Sequence, residues 1–376
     1  MKKLICCIIT LTVLFAIFTG CASTTGETVS DSLQNDTSAA TNAPESEEKD
    51  LPSNKGYLIA TDYVPVDGVT DVSDTLQDLI LKNPNSTIYF PDGVYILRRP
   101  IMTPSNPDKS VDLQLSNFAC LKASDNWKNP EAMIRLGAIG GANNISTPGS
   151  NYGISGGIID GSGRAKGISI DGGRETYIRN VNIKNVTVGI HIKYGANSGS
   201  SDSDIHSVNI YGTGSVDSVG VLIEGHDNTL TNMRIGNVFT GVDVASGGNM
   251  LRNIHPLFIN SSATAEHYNE SVGFLVRNHA NWFDYCYSDQ FAVAFHTWGG
   301  GTYKNCFCYW YSDKEPLHVA FKSDLPFFGS IDTLMIGGLH HPDHPNQFMD
   351  AENISENGVV ENVFMSVRGA APTRIR

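Results

Sequence analysis

The sequence has little charge, and the charge it has is unbalanced. Only 17% of the 376 residues are charged, with 26 Lys and Arg against 39 Asp and Glu, which gives a formal net charge of −13. No cluster of basic residues stands out along the chain. Because nucleic acids and anionic membrane surfaces are bound through basic patches, this composition argues against both as partners.

Metal-binding motifs with paired cysteines are also missing. Beyond Cys21 the chain has four cysteines, and Cys286 lies about one repeat from both Cys306 and Cys308. Stacking on adjacent turns would allow either a disulfide or buried free thiols. A second cluster resembles a zinc site, but two prolines and the lack of helical spacing favour a polar loop. It comprises His340, His341, Asp343 and His344. We therefore predict no metal site.

Helical periodicity is absent from the central part of the chain, where a short phrase recurs instead. The phrase is Gly or Ala, an apolar residue, a variable residue and usually a β-branched residue, and three of its six intervals are 21 or 22 residues. It reads GISI at Gly167, GIHI at Gly189, GVLI at Gly220, GVDV at Gly241, GFLV at Gly273, AFHT at Ala294 and AFKS at Ala320. A second strand-like phrase follows each, as in YIRNVNI from Tyr177. Two short strands per period predict an all-β, right-handed parallel β-helix.

Alternation along each strand assigns directions to the side chains. The apolar second positions should form the interior stack: Ile168, Ile190, Val221, Val242, Phe274, Phe295 and Phe321. The next positions should face outward as one column: Ser169, His191, Leu222, Asp243, Leu275, His296 and Lys322. A second outward column lies two residues further on: Asp171, Lys193, Glu224, Ala245, Arg277, Trp298 and Asp324. This charged face is where we expect the chemistry.

The start of the chain has the pattern of an export signal. Lys2 and Lys3 precede an apolar run, and residues 1–21 end in FTGC, which resembles the bacterial lipoprotein cleavage box although Phe18 stands where Leu is usual. The alternative is an ordinary secretory signal with an incidental Cys21. Residues 22–55 are rich in Ser, Thr, Asn and Glu and are predicted to be a disordered tether. We expect lipidation at Cys21 and a cell-surface or extracellular location, anchored to a bacterial membrane.

The folded body should extend over residues 56–376. An amphipathic helix over Asp71 to Lys82 places Leu76, Leu79 and Ile80 on one face, with Asp71 or Ser73 as its cap. Because the open end of a coiled stack exposes core, we expect this helix to close the N-terminal end.

Two further segments resemble a known superfamily. The helix is followed by TIYFPDGVYIL from Thr87, and later by GGIIDGSG from Gly156, and together these resemble the pectate-lyase-like parallel β-helix superfamily from about Gly56 onward. The resemblance implies a protein that cleaves or binds polysaccharides, without fixing the reaction. The catalytic motifs of polygalacturonases and calcium-dependent pectate lyases are not intact, and Gly225-His226-Asp227 is better explained as a turn.

Candidate site residues come from the outward face and from aromatic residues near it. Glu224 and Asp243 lie on successive coils, with Cα atoms expected roughly 8 Å apart, a spacing suited to a pair of catalytic carboxyl groups. We add Arg277 and His296 as catalytic candidates. Predicted substrate contacts are His191, Lys193, Trp298 as an aromatic platform, Lys322, Asp284, and His267 and Tyr268 beside Glu266 in a loop. Insertions at Tyr194 to Asp204, Pro256 to Ser271 and Tyr311 to Leu317 should rim a cleft.

These features predict an extracellular enzyme that cleaves or rearranges glycosidic bonds, of glycoside hydrolase or transglycosidase type. One alternative is a lyase acting on a uronate-containing glycan, for which calcium could be a cofactor; a hydrolase needs none. Another is a non-catalytic surface glycan-binding protein or adhesin. In each case the partner is a polysaccharide or oligosaccharide, with the membrane reached through Cys21.

Overall fold

Two parallel sheets contain nearly all the regular structure of the computed structural model. The structure describes residues 57–140, 153–194, 200–259, 265–315, 317–341, 343–367 and 370–376. The predicted signal, Cys21 and the tether lie outside these residues, as do parts of all three insertions. Among the described residues, no helix is long and apolar enough to cross a membrane.

The first strand of each coil belongs to a nine-stranded sheet, here called the front sheet, in which every pairing is parallel. Its strands are Ile101–Pro104, Ala132–Ile139, Lys166–Ile170, Val188–Ile192, Val219–Ile223, Thr240–Val244, Val272–Val276, Val293–Thr297 and Val319–Ser323. The register places the predicted interior stack in line from Ile168 to Phe321, and every member is at most 1% exposed. The predicted parallel β-helix is confirmed.

The recurring glycine of the phrase has a packing cause. A Cβ atom at Gly189 would lie 2.5 Å from the carbonyl oxygen of Gly220 on the next coil and 2.7 Å from Ile210 in the core. A side chain larger than hydrogen therefore cannot fit between those coils without displacing backbone. The glycine is the residue that lets adjacent coils close on one another.

A 20-stranded sheet carries the rest of each coil. Its strands are Leu58–Ile59, Asp67–Asp71, Ser86–Phe90, Gly93–Leu97, Val111–Leu115, Ala119–Ala123, Gly153–Ser155, Ile158–Asp160, Tyr177–Arg179, Asn182–Val186, Asp204–His206, Asn209–Gly212, Thr229–Gly236, Met250–Leu257, Trp282–Asp284, Tyr287–Asp289, Thr302–Trp310, Ser330–Gly338, Val359–Met365 and Thr373–Arg374. The last strand pairs antiparallel with Val359–Met365 and covers the C-terminal edge.

This wide sheet bends within each coil, so the predicted second strand is in fact two. At the bend one residue per coil has a positive φ, which Asn tolerates better than most residues. The register aligns these residues as Gly156, Asn180, Ser207, Asn232, Asn253, Tyr285, Asn305, Thr333 and Asn362. Each full coil therefore has three faces, and the outward side of the third strand is a surface that the sequence analysis did not anticipate.

The N-terminal helix spans Ser73–Lys82, with Leu76, Leu79 and Ile80 buried as predicted. Val72 is its N-cap residue, although the Asp71 carboxylate accepts hydrogen bonds from the N–H and hydroxyl of Ser73, at 3.1 and 2.5 Å. Gln77 exchanges two hydrogen bonds with the backbone of Met102, on the edge strand of the front sheet. The helix thus covers the edge that would otherwise be open. Three short 3-10 helices, Ala60–Asp62, Pro107–Lys109 and Ala351–Asn353, lie in connections, and a fourth spans Ala265–Glu270.

Asparagine side chains tie three coils together inside the turn between the two sheets. The Oδ1 atom of Asn249 accepts hydrogen bonds from the backbone N–H and side-chain amide of Asn228, at 3.1 and 2.9 Å. Asn281 accepts the equivalent bonds from Asn249, at 3.0 and 3.2 Å. Because all three residues are buried, this ladder satisfies backbone groups that water does not reach. It fixes the turn that leads away from the candidate site.

Candidate functional site

The outward side of the front sheet, here called the front face, has the predicted two columns. Strand pairing aligns Ser169, His191, Leu222, Asp243, Leu275, His296 and Lys322 coil by coil, and Arg135 continues the column towards the N-terminus. We call these residues the inner column. The outer column lies two residues further along each strand: Asp171, Lys193, Glu224, Ala245, Arg277, Trp298 and Asp324.

Polar side chains on this face pair along one diagonal direction. A residue of the inner column contacts the outer-column residue of the following coil, so the offset is one coil and two residues. The pairs are Arg135 with Asp171 (Nε to Oδ2, 3.0 Å), His191 with Glu224 (Nε2 to Oε2, 2.8 Å), Asp243 with Arg277 (2.8 Å, twice) and His296 with Asp324 (Nε2 to Oδ1, 2.8 Å). The same register sets Leu222 beside Ala245 and Leu275 beside Trp298, so from His191 onward polar and apolar pairs alternate.

Asp243 and Arg277 form the most enclosed of the pairs near the middle of the face. The Nε and Nη2 atoms of Arg277 each donate to a different oxygen of the Asp243 carboxylate, a bidentate geometry that fixes both groups. Burial raises the pKa of Asp243 above its ordinary value and outweighs the opposing effect of Arg277, while the nearby charge of Glu224 raises the pKa further. Asp243 is therefore a rigidly held carboxylate of increased basicity.

Glu224 has a more open environment than Asp243. Its side chain is 41% exposed, against 16% for Asp243, and its carboxylate is held by the Nε2 atom of His191. Glu224 is in the outer column of one coil and Asp243 is in the inner column of the next, so the two acids lie on the opposite diagonal. They do not bond to each other, because Glu224 bonds to His191 and Asp243 bonds to Arg277. Their carboxyl groups are thus on adjacent coils in unequal surroundings, and their pairing in catalysis stays a prediction.

A four-residue ion cluster lies at the N-terminal side of the face. Lys193 bonds to Glu131, and its Nζ atom is 3.2 Å from Asp171, which also binds Arg135. Burial alone would raise the pKa of Asp171, but hydrogen bonds from Arg135 and Ser169 and the charge of Lys193 leave that pKa lowered. The hydrogen bond from Lys193 also lowers the pKa of Glu131. Lys193, predicted to contact substrate, is engaged within the protein.

An aromatic platform lies at the other end of the face. Trp298 is 51% exposed, which agrees with its predicted outward direction. Phe328, not identified from the sequence, packs against the Gly299 and Gly300 turn, where added Cβ atoms would lie 3.1 and 3.0 Å from its ring. His296 and Lys322 approach Asp324 beside this platform, at 2.8 and 3.8 Å. Apolar rings and charged groups are therefore adjacent here.

Three predicted substrate contacts are not placed on this face. The prediction that Tyr268 lies on the rim of a cleft is wrong, because its side chain is only 4% exposed and its ring packs on Phe258 in the core. The 3-10 helix Ala265–Glu270 directs it inward while His267 faces solvent and pairs with Glu270 at 3.2 Å. Asp284 lies on the wide sheet, with Arg252 at 3.3 Å.

The cysteines and the histidine cluster show no sign of metal binding. Cys120, Cys286, Cys306 and Cys308 are buried free thiols, so of the two possibilities for Cys286 the free thiol is found. Burial raises the pKa of Cys306 to about 12, which makes its thiolate inaccessible at neutral pH. Within the described residues, no group of three or more His, Cys, Asp or Glu could hold a metal ion.

Comparison with known proteins identifies the fold. No family model matches the sequence, and no curated protein matches it. Among solved structures it is similar to an endo-xylogalacturonan hydrolase from Aspergillus tubingensis (TM-score 0.53, 14% identity, 80% of this chain and 91% of the other). It is also similar to an alginate lyase from Paenibacillus (TM-score 0.52, 14% identity, 77% of this chain and 96% of the other). A third similar structure is PfbA, a surface adhesin of Streptococcus pneumoniae (TM-score 0.52, 14% identity, 83% of this chain and 90% of the other). The chain spans 62% of the length of another match, a protein of Geobacillus virus E2.

Proposed function

Because the chain has the fold of the pectate-lyase-like parallel β-helix proteins, we propose that its front face binds an extracellular polysaccharide and hydrolyses a glycosidic bond. The observation that carries this proposal is the pair of carboxyl groups on adjacent coils. Asp243 is mostly buried and bound by Arg277, whereas Glu224 is exposed and bound by His191. Glycoside hydrolysis needs two carboxyl groups whose surroundings give them different roles.

The geometry supports one assignment of those roles. Both oxygens of Asp243 accept hydrogen bonds from Arg277, so neither carries a proton, and the raised pKa makes this carboxylate a better base or nucleophile. Glu224 is open to solvent, where the leaving oxygen of a bound sugar can reach it, and it shares a hydrogen bond with His191. We assign Glu224 as the acid that protonates the leaving oxygen and Asp243 as the group that attacks or activates water. Trp298 provides an apolar surface on which a sugar ring can stack.

The histidines favour a second candidate, a lyase. His191 and His296 are each held by a carboxylate at 2.8 Å, an arrangement that orients an imidazole as a base for proton abstraction beside a uronate carboxylate. In that case we propose that Arg277, or an added calcium ion, neutralises the uronate. A lyase leaves an unsaturated sugar at the new end, whereas a hydrolase leaves a reducing end and no double bond.

The test is turnover on a panel of neutral and acidic polysaccharides, with and without calcium, followed by analysis of the products. We expect Asp243→Asn and Glu224→Gln each to lose about 100-fold or more of kcat on the substrate found. Asp204→Asn is the matched control, because Asp204 also pairs with an arginine, Arg179 at 2.6 Å, but on the wide sheet. Full activity in both front-face variants would refute the assignment, and binding without turnover by the wild type would support the adhesin alternative.

We also propose that the protein is exported and held at the cell surface by lipid on Cys21, a residue outside the described part. The FTGC sequence and the polar segment after it support this. Mass spectrometry of the mature N-terminus in its native host tests it: an unmodified first residue other than Cys21 would refute lipidation.

A further inference from the structure

The outward side of the third strand of each coil, here called the groove face, contains a site that the proposed function does not use. A groove of about 420 Å³ crosses four successive coils, a volume typical of small-ligand sites. Its walls come from two outward columns in strand register: Asn182, Asn209, Arg234 and His255, and beside them Lys184, Tyr211, Gly236 and Leu257. Three spacings between four coils amount to about 14 Å, enough for a short oligosaccharide.

The groove has an aromatic wall and an apolar floor. Tyr211 is 49% exposed and leans over the next coil, where its ring would be 3.4 Å from a Cβ atom at Gly236. Glycine at that position keeps the space beside the ring open. Leu257 and Ile259 continue the apolar lining on the following coil. A flat ring beside an apolar floor suits the C–H face of a sugar.

Two basic residues, Lys184 and Arg234, and no acidic one line this largely apolar groove, although the protein is strongly acidic. Arg234 lies in its centre, donates one hydrogen bond to the carbonyl of Met233, and has no carboxylate within 4 Å among the residues described. Lys184 is at one end, 3.6 Å from Asp160. An arginine without a carboxylate partner, on a chain of net charge −13, is positioned to receive an anion from a ligand.

Buried polar atoms without a hydrogen bond among the described residues lie beside the far end of the groove. His255 Nε2 and Asp289 Oδ1 are both buried and without a hydrogen-bond partner there, and the imidazole is 3.7 Å from the Asp289 carboxylate, too long for a hydrogen bond. Tyr287 stacks on His255 at 4.0 Å between ring centres and fixes its plane. Buried donors and acceptors usually have partners, so these two atoms are exceptions directly beside the groove.

We propose that this groove binds a short oligosaccharide of uronic acid residues, with a carboxylate on Arg234 and a sugar face on Tyr211. The site lies on strands that contribute nothing to the front face, so it does not depend on the catalytic assignment. In a polysaccharide-active protein, a second site of this kind would retain an acidic chain on the surface between encounters with the front face.

The experiment is calorimetric titration of the purified folded chain with short oligogalacturonate and oligomannuronate, and with a neutral oligoglucoside of matched length. We expect binding of at least one uronate ligand, weaker binding of the neutral one, and loss of affinity as salt is raised. Arg234→Ala and Tyr211→Ala should each weaken binding about tenfold or more, as expected for loss of a charge-assisted hydrogen bond or a stacking surface.

Two controls lie outside both the groove and the front face. Arg252→Ala removes an exposed arginine on the same coil as His255 but on the second strand, and should bind as the wild type does. Asp204→Asn breaks an exposed ion pair with Arg179, also on the second strand, and should bind normally too. The proposal is overturned if no uronate ligand binds, if the neutral ligand binds equally well, or if Arg234→Ala and Tyr211→Ala leave the affinity unchanged.

Discussion

The front face and the groove face are built from the same repeat, but they differ in whether their outward charged side chains are paired within the protein. On the front face, the charged residues are paired within the protein, and four of the pairs share one diagonal, as do Asp243 with Arg277 and His191 with Glu224. On the groove face, Arg234 has no carboxylate partner among the described residues and aromatic rings follow one another along the column. The first face is organised by contacts within the protein, while the second leaves contacts for a ligand.

The two arginines provide the sharpest test of this difference, with the largest expected effect. Arg277→Ala should lower the free energy of unfolding by about 2 kcal/mol, because it leaves the enclosed carboxylate of Asp243 without its two hydrogen bonds. Arg234→Ala should change it by less than about 0.5 kcal/mol, since that side chain is exposed. Urea unfolding followed by circular dichroism measures both. Equal losses would show that the two faces do not differ in this way.

A smaller effect is expected from acid titration of the front face. Asp171 has a pKa below its ordinary value of 3.8 in the folded protein, so its stabilisation is complete above about pH 4 and is lost as the pH falls through the folded value. Asp171→Asn should therefore cost about 1–2 kcal/mol near neutral pH and progressively less below about pH 4.

The control for that titration is Asp204→Asn, which breaks an exposed pair with Arg179 and should cost less than about 1 kcal/mol. Unfolding midpoints measured across the acid range distinguish the two variants. A cost for Asp171→Asn that stays constant down to the lowest pH would contradict the lowered pKa.

The smallest effect concerns the aromatic column of the groove face. Tyr287 stacks on His255 and lies 4.8 Å from Phe307, so Tyr287→Leu should destabilise the protein by about 1 kcal/mol. Tyr211→Leu removes an exposed ring from the same face and should fall within about 0.5 kcal/mol of the wild type. If both variants are equally stable, the column does not act as a stack.

Alternation along the strands predicted the core and both front columns, because side-chain direction in a strand has a period of two and follows from the phrase alone. Val221, Val242 and Phe295 are buried as expected. Alternation gave no information about the 3-10 helix that directs Tyr268 into the core, and that prediction was wrong. The direction of the diagonal pairs could not be predicted either. An inner-column residue is equally far in sequence pattern from the outer-column residue of the following coil and of the preceding coil, and only the three-dimensional structure shows which one it contacts.

The groove face was missed although the sequence contains a signal for it. Asn180, Asn232 and Asn253 recur within the second phrase of their coils and all have positive φ. An asparagine repeated between two apolar positions marks a bend, and thus a third strand with its own outward side. The groove then depends on which side chains four coils bring together, as with Tyr211 over Gly236, and this is visible only once the register is known.

The one-directional pairing of the front face also protects the order of the coils. Similar coils could in principle stack one repeat out of place during folding, since their backbones and interior side chains are nearly equivalent. Such a slip would set His191 beside Ala245, Leu222 beside Arg277 and Asp243 beside Trp298, and the diagonal pairs of these residues would be lost. Each coil is thereby matched to its own neighbour, and deletion or duplication of one coil would remove the diagonal pairs at the point of the change.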